Sequence, residues 1–251
     1  MNALLRSAAL VALATVALSG CNLPGRPADG PEVPRPEQVT SFDTLYGNNC
    51  AGCHGAKGEN GAAANLANPE FQALLDDATL RDIITNGEKG TMMPAFALKR
   101  GGTLTDAQIE AIIVGMRAHW SKGSVLAGLN APPYKAAQPG DASHGAAVYT
   151  AACARCHGTS AKPGDSGSIL DGSFLALVSE QTIRTTVIAG RPDLGMPDWR
   201  NLARDANNQP RPLTDAEVTD IAAWLIAQKP AMPGQPYGTA QPPQPAPAAT
   251  K

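Results

Sequence analysis

Aromatic side chains are scarce in this sequence: four Phe, four Tyr and three Trp make up only 4% of 251 residues. Gly (25) and Pro (22) account for almost a fifth of the chain, so its own side chains cannot fill a large aromatic core. A bound apolar cofactor would make up the shortfall. An excess of either charge is missing too. The formal net charge is −2 and the pI about 6.1, so the basic surface that a nucleic-acid partner requires is lacking. No apolar run reaches the roughly eighteen residues of a membrane-spanning helix. Nor does any segment alternate as a strand would, which leaves a helical reading.

What the chain does have is a repeat. An offset of 103 residues superposes Tyr46-x-x-x-Cys50-x-x-Cys53-His54-Gly55 on Tyr149-x-x-x-Cys153-x-x-Cys156-His157-Gly158. The same offset pairs Phe71 with Phe174, Arg81 with Arg184, Gly87 with Gly190 and Met93-Pro94 with Met196-Pro197. Beyond these the offset becomes 109, a six-residue insertion within ARDANNQPRP, and LTDAQIEAII then matches LTDAEVTDIA. Capping boxes at Thr105/Gln108 and Thr214/Glu217 start the last helix of each copy. Thr79 and Thr182 are the expected N-caps of a middle helix that ends at Gly87 or Gly190.

The flanks are of a different kind. MNALLRSAALVALATVALSGC has a positive start at Arg6 and an apolar stretch from Ala8 to Leu18, too short for a span, and reads as an export signal over residues 1–20. Leu18-Ser19-Gly20-Cys21 resembles a bacterial lipobox, which implies a lipidated Cys21 anchored to a bacterial membrane on the periplasmic or cell-surface side. Cys21 is also the odd cysteine left by two pairs. Residues 21–40 are proline-rich and read as a tether with a reach of ~60 Å at ~3.1 Å per residue. The repeat copies occupy 41–121 and 143–229, joined by a linker at 122–142 and followed by a proline-rich tail expected to be disordered at 230–251.

The cysteine pairs admit three chemistries. A zinc site wants four ligands, and the two pairs together would supply them, but each belongs to its own copy. A thioredoxin-like redox pair wants a βαβ context, which is absent. The third is covalent attachment of haem c, in which two thiols add to the vinyl groups and the adjacent histidine reaches the iron. Met93 lies 39 residues after His54 and Met196 lies 39 after His157, each followed by proline. A thioether is a soft, weak ligand suited to iron opposite an imidazole. One such methionine would be read as core; the repeated interval favours ligation. Met92 is the rival to Met93, but only Met93 keeps the register.

On these motifs each copy resembles a class I cytochrome c domain, and the whole resembles tandem dihaem cytochromes, c4-like shuttles or the cytochrome subunits of respiratory complexes. The resemblance implies an all-α protein of two small, loop-rich domains of three to four helices. It implies two haems c held through Cys50/Cys53 and Cys153/Cys156, with axial His54–Met93 and His157–Met196. It departs at one place: Gly145 and Trp224 fit the family's helix crossing, whereas the first copy has Phe42 and Gly115 there. Phe42 is expected to fill the space opposite Gly115.

His119 and His144 have no histidine counterpart in the other copy and read as surface residues. Arg81 and Arg184 suit either haem propionates or structural ion pairs. Phe71/Phe174 and Tyr46/Tyr149 read as pocket packing. The function implied is one-electron transfer without catalysis, with redox proteins as partners: a membrane oxidoreductase or terminal oxidase, a soluble cytochrome or a copper protein. A dihaem peroxidase is the enzyme alternative, disfavoured because both irons would carry a sixth ligand.

Overall fold

The computed structural model describes residues 30, 33–123 and 125–230. The export signal, Cys21 and the tail from residue 231 lie outside these. The chain divides into two units, Met1–Gln38 and Val39–Lys251. In the first, the described residues include a 3-10 turn at Pro36–Gln38, closed by the Arg35 N–H on Gln38 Oε1 at 2.7 Å. The second contains both repeat copies. Among the described residues no helix is long and apolar enough to cross a membrane.

The first copy runs α1 (Phe42–Asn49), α2 (Ala51–His54), α3 (Pro69–Leu74), α4 (Asp77–Asn86) and α5 (Asp106–Trp120). The second repeats the order with α6 (Ala142–Ala152), α7 (Ala154–His157), α8 (Gly172–Leu177), α9 (Glu180–Ala189) and α10 (Asp215–Ala227). Both expected capping boxes, Thr105/Gln108 and Thr214/Glu217, are formed. The middle helices begin three residues earlier than the threonines predict. Asp76 caps α4 by accepting the Thr79 N–H at 2.7 Å, and Ser179 caps α9 by accepting that of Thr182 at 3.0 Å. Each threonine therefore occupies the third helical position, where it completes the cap rather than forming it. Gly87 and Gly190 end these helices at φ +73° and +72°.

One element has no forerunner in the sequence pattern. The insertion folds into a short hairpin, β1 (Ala203–Arg204) against β2 (Pro210–Arg211). Its turn is organised by Asp205, whose carboxylate accepts the N–H groups of Asn207 and Gln209 at 2.8 Å each. The strands are two residues long, too short for alternation to register.

Each copy closes on a crossing of its first and last long helices, α1 on α5 and α6 on α10. A Cβ on Gly145 would lie 2.0 Å from the Asp220 carbonyl oxygen and 2.8 Å from Trp224 Cβ. A Cβ on Gly115 would lie 2.2 Å from the Phe42 ring. Large and small residues have therefore exchanged helices between the copies, as the sequence predicts, and the same crossing is preserved with its knob reversed. Around Phe42 the ring of His119 stacks at 4.8 Å, and Trp120 meets Tyr46 edge-on at 5.1 Å. His119 is exposed, as expected of a surface residue, and also stacks on this aromatic cluster.

The copies also touch each other. The carbonyls of Ala189 and Gly190 accept the Asn68 side-chain amide at 2.8 and 3.3 Å. Arg200 pairs with Glu70 at 3.0 Å. Glu88 accepts from the hydroxyls of Ser179 (2.9 Å) and Thr182 (2.7 Å). Part of the expected linker is a strap: Ala131 and Leu126 pack on the second core, and Tyr134 on the first.

Candidate metal centres

Each cysteine pair sits on one short helical turn, α2 or α7, directly after the first long helix. Cys50 and Cys153 form the junctions, accepting the His54 and His157 N–H groups on their carbonyls at 3.0 Å each. Two residues between the thiols therefore place both on one side of a single turn. The turn must then leave sharply. Gly55 and Gly158 do so at φ +83° and +76°, where a Cβ would collide with Glu59 O at 1.9 Å or Lys162 O at 2.2 Å. The tyrosines anchor the turn from below: Tyr46 OH donates to Gly55 O at 2.7 Å and Tyr149 OH to Gly158 O at 2.9 Å. They pack at the helix crossing and hold the turn, a more specific role than the pocket packing expected of them.

His54 Nδ1 lies 2.8 Å from Ala64 O, and His157 Nδ1 lies 3.1 Å from Gly167 O. A carbonyl can only accept, so Nδ1 carries the proton and the Nε2 lone pair is free. That tautomer is the one a metal-ligating histidine needs, with a second partner fixing its ring. Burial lowers the His54 imidazole below its usual range; the Arg191 charge adds to this, while the Ala64 hydrogen bond and the Glu88 charge oppose it. Both carbonyls come ten residues after their histidine, a regularity that sequence reading missed because a backbone acceptor has no side-chain signature.

The four described cysteines are free thiols. Burial, reinforced by the neighbouring cysteine, pushes Cys50 up to about 11 and Cys153 up to about 12. Thiol–disulfide exchange needs a thiolate, so Cys50 and Cys153 are poor attacking thiols. Among the described residues no three histidine, cysteine or acidic side chains converge on a metal-sized space, so the pairs do not combine into a zinc site. Met92 is 75% exposed, whereas Met93 packs against the first core and Met196 against the second. Thr91 Oγ1 supports this turn by accepting the Met93 N–H at 3.1 Å.

Two unpaired thiols on one turn, an imidazole with its free nitrogen beside them and an inward thioether fit a covalently bound haem c in each copy. The matched arginines take no part in that donor set. Arg81 pairs with Glu110 at the surface. Arg184 is 2% exposed and donates to Asp215, Thr219 Oγ1 and the Pro133 and Tyr134 carbonyls, so it fastens the strap to the second copy. His144 pairs with Asp220 at 2.7 Å across the α6–α10 crossing.

Comparison with known proteins places these features in a family. Residues 37–114 and 140–225 match the family described as cytochrome c oxidase, cbb3-type, subunit III. The chain is similar to the cbb3-type cytochrome c oxidase subunit FixP of Azorhizobium caulinodans, at 32% identity over 171 residues. That match covers 61% of this chain and 50% of the relative, so the chain spans about half of the relative's length. Among solved structures, it is similar to a chain of the Kuenenia stuttgartiensis reducing HAO-like protein complex. The TM-score is 0.44 at 17% identity, covering 80% of this chain and 100% of that one.

Proposed function

The chain belongs to the cbb3-type cytochrome c oxidase subunit III family, and from that premise we propose that it is a membrane-associated dihaem electron carrier serving an oxidase. The observation that carries this reading is the duplicated donor set: two thiols, one tautomerically fixed imidazole and one inward methionine per copy. Haem c supplies one-electron redox chemistry at its iron. Cys50, Cys53, Cys153 and Cys156 would hold it through thioethers, with His54 and His157 offering Nε2, and Met93 and Met196 sulfur, to its iron. Ala64 and Gly167 keep the imidazoles oriented and more basic through the Nδ1 proton. A thioether ligand opposite the imidazole would favour the reduced state.

Residues 41–121 and 143–229 act as two haem domains, and lipidated Cys21 with the residue 21–40 tether holds them at the membrane face, raising their effective concentration near the oxidase. Redox partners are the oxidase and its electron donor, a soluble cytochrome or a copper protein. The peroxidase alternative requires a vacant or readily vacated iron. Carbon monoxide discriminates between the two: the ferrous holoprotein is expected to keep its spectrum under the gas and to show no peroxide turnover. Stoichiometric binding at one haem would restore the enzyme reading.

A further inference from the structure

The second copy grips the first directly behind His54. Gly61 is pressed so closely on the haem-attachment turn that a Cβ there would lie 2.3 Å from Cys53 O and 2.5 Å from the His54 carbonyl carbon. The carbonyl of this glycine accepts from Arg191 Nη2 at 2.9 Å. Arg191 is at the same time paired with Asp193, Nε to Oδ1 at 3.0 Å and Nη2 to Oδ2 at 2.9 Å. Asp193 reaches across as well, accepting the Asn60 N–H at 2.9 Å. Their side chains are only 12% and 1% exposed.

On its other side Arg191 is tied to the proposed second thioether ligand. Its N–H donates to Met196 O and its O accepts from Met196 N–H, both at 3.0 Å. One residue therefore connects the methionine loop of one copy to the histidine turn of the other. The repeat shows that this is not a feature of the fold itself. The counterparts of Arg191 and Asp193 are Glu88 and Gly90. In the second copy Gly164 packs on its own turn in the same way, yet its carbonyl takes the Gly167 N–H from within that copy.

Resting on the haem reading above, we propose that Arg191 and Asp193 are a tuning pair for the first copy's haem, two opposed charges set by the second copy against the His54 turn. A positive charge near an iron favours Fe(II) over Fe(III), and a negative charge does the reverse. The shared Arg191–Asp193 bond holds Asp193 well below the usual carboxylate range, with burial opposing, so both members are charged at neutral pH. Their charges oppose each other at the turn, and the potential of the first haem depends on which member is present.

Redox titration of the full-length holoprotein tests this, with the first haem assigned as the one whose potential moves in Met93→His. Arg191→Gln leaves the carboxylate unopposed and is expected to lower that haem's potential. Asp193→Asn leaves the guanidinium unopposed and is expected to raise it. Each should change the reduced-to-oxidised ratio at fixed potential on the order of tenfold, the effect of one unpaired charge across a poorly hydrated contact. The double variant should return close to the parent, and Arg191→Lys, which keeps the charge, should stay near it. A merely structural clamp predicts otherwise: both single variants shift the same way or not at all, and the double is the most perturbed. Either pattern overturns the proposal. The near-infrared sulfur-to-iron band of the parent is read separately, and its absence would instead overturn the ligand assignment on which the proposal rests.

Discussion

At the scale of single residues, adjacent methionines have opposite fates. Met93→Ala is expected to remove about half of the near-infrared sulfur-to-iron absorption, because one of the two proposed thioether ligands is lost. Met92→Ala should leave it intact, since that side chain is 75% exposed. In the sequence, the 39-residue interval shared by the two copies favours Met93. The carbonyls of Ala64 and Gly167 were not legible, because any residue supplies one. A second residue-scale prediction concerns acid. Arg211 holds Glu217 down at about 2, with the Thr214 cap contributing and burial opposing. A lowered carboxylate stabilises the fold fully above its unfolded value of about 4.3 and loses that contribution as pH falls towards the folded value. In Glu217→Gln the decline in stability between about pH 4.5 and 2 should therefore be shallower than in the parent, as followed by denaturant midpoints across that range.

At the scale of elements, the helix crossings decide which substitutions the copies tolerate. Gly115→Ala puts a methyl group into the Phe42 ring and should cost about 1–3 kcal/mol, seen as a lower guanidinium midpoint of the first domain. Moving the knob back, Phe42→Gly with Gly115→Trp, recreates the second copy's arrangement and should recover most of that loss. The exchange was readable because two copies could be compared position by position. Helix starts were less so: DDAT holds three competent caps and SEQT two, and hydrogen bonding selects the earliest in each. Ser179→Ala should cost about 1 kcal/mol by removing the α9 cap. The hairpin at 203–211 was not legible either, since its strands are shorter than one alternation.

At the scale of the whole molecule, the contact between copies joins residues about 130 positions apart, such as Arg191 with Gly61 and Arg200 with Glu70. No local pattern announces such a pairing, so the sequence suggested two domains joined by a linker. In the structure that linker is also a strap, with Arg184 bonded to the carbonyls of Pro133 and Tyr134. The duplicated donor set proposed to hold haem is nonetheless the part that the sequence marks most strongly, because covalent attachment and axial ligation would fix residue types and intervals that packing alone leaves free. Its most direct test is the near-infrared band of the ferric holoprotein, quantified per covalent haem counted by intact mass in the same sample. Two haems per chain, each contributing a full sulfur-to-iron band, is the predicted result; two haems sharing the intensity of one band, or a single covalent haem, would contradict it.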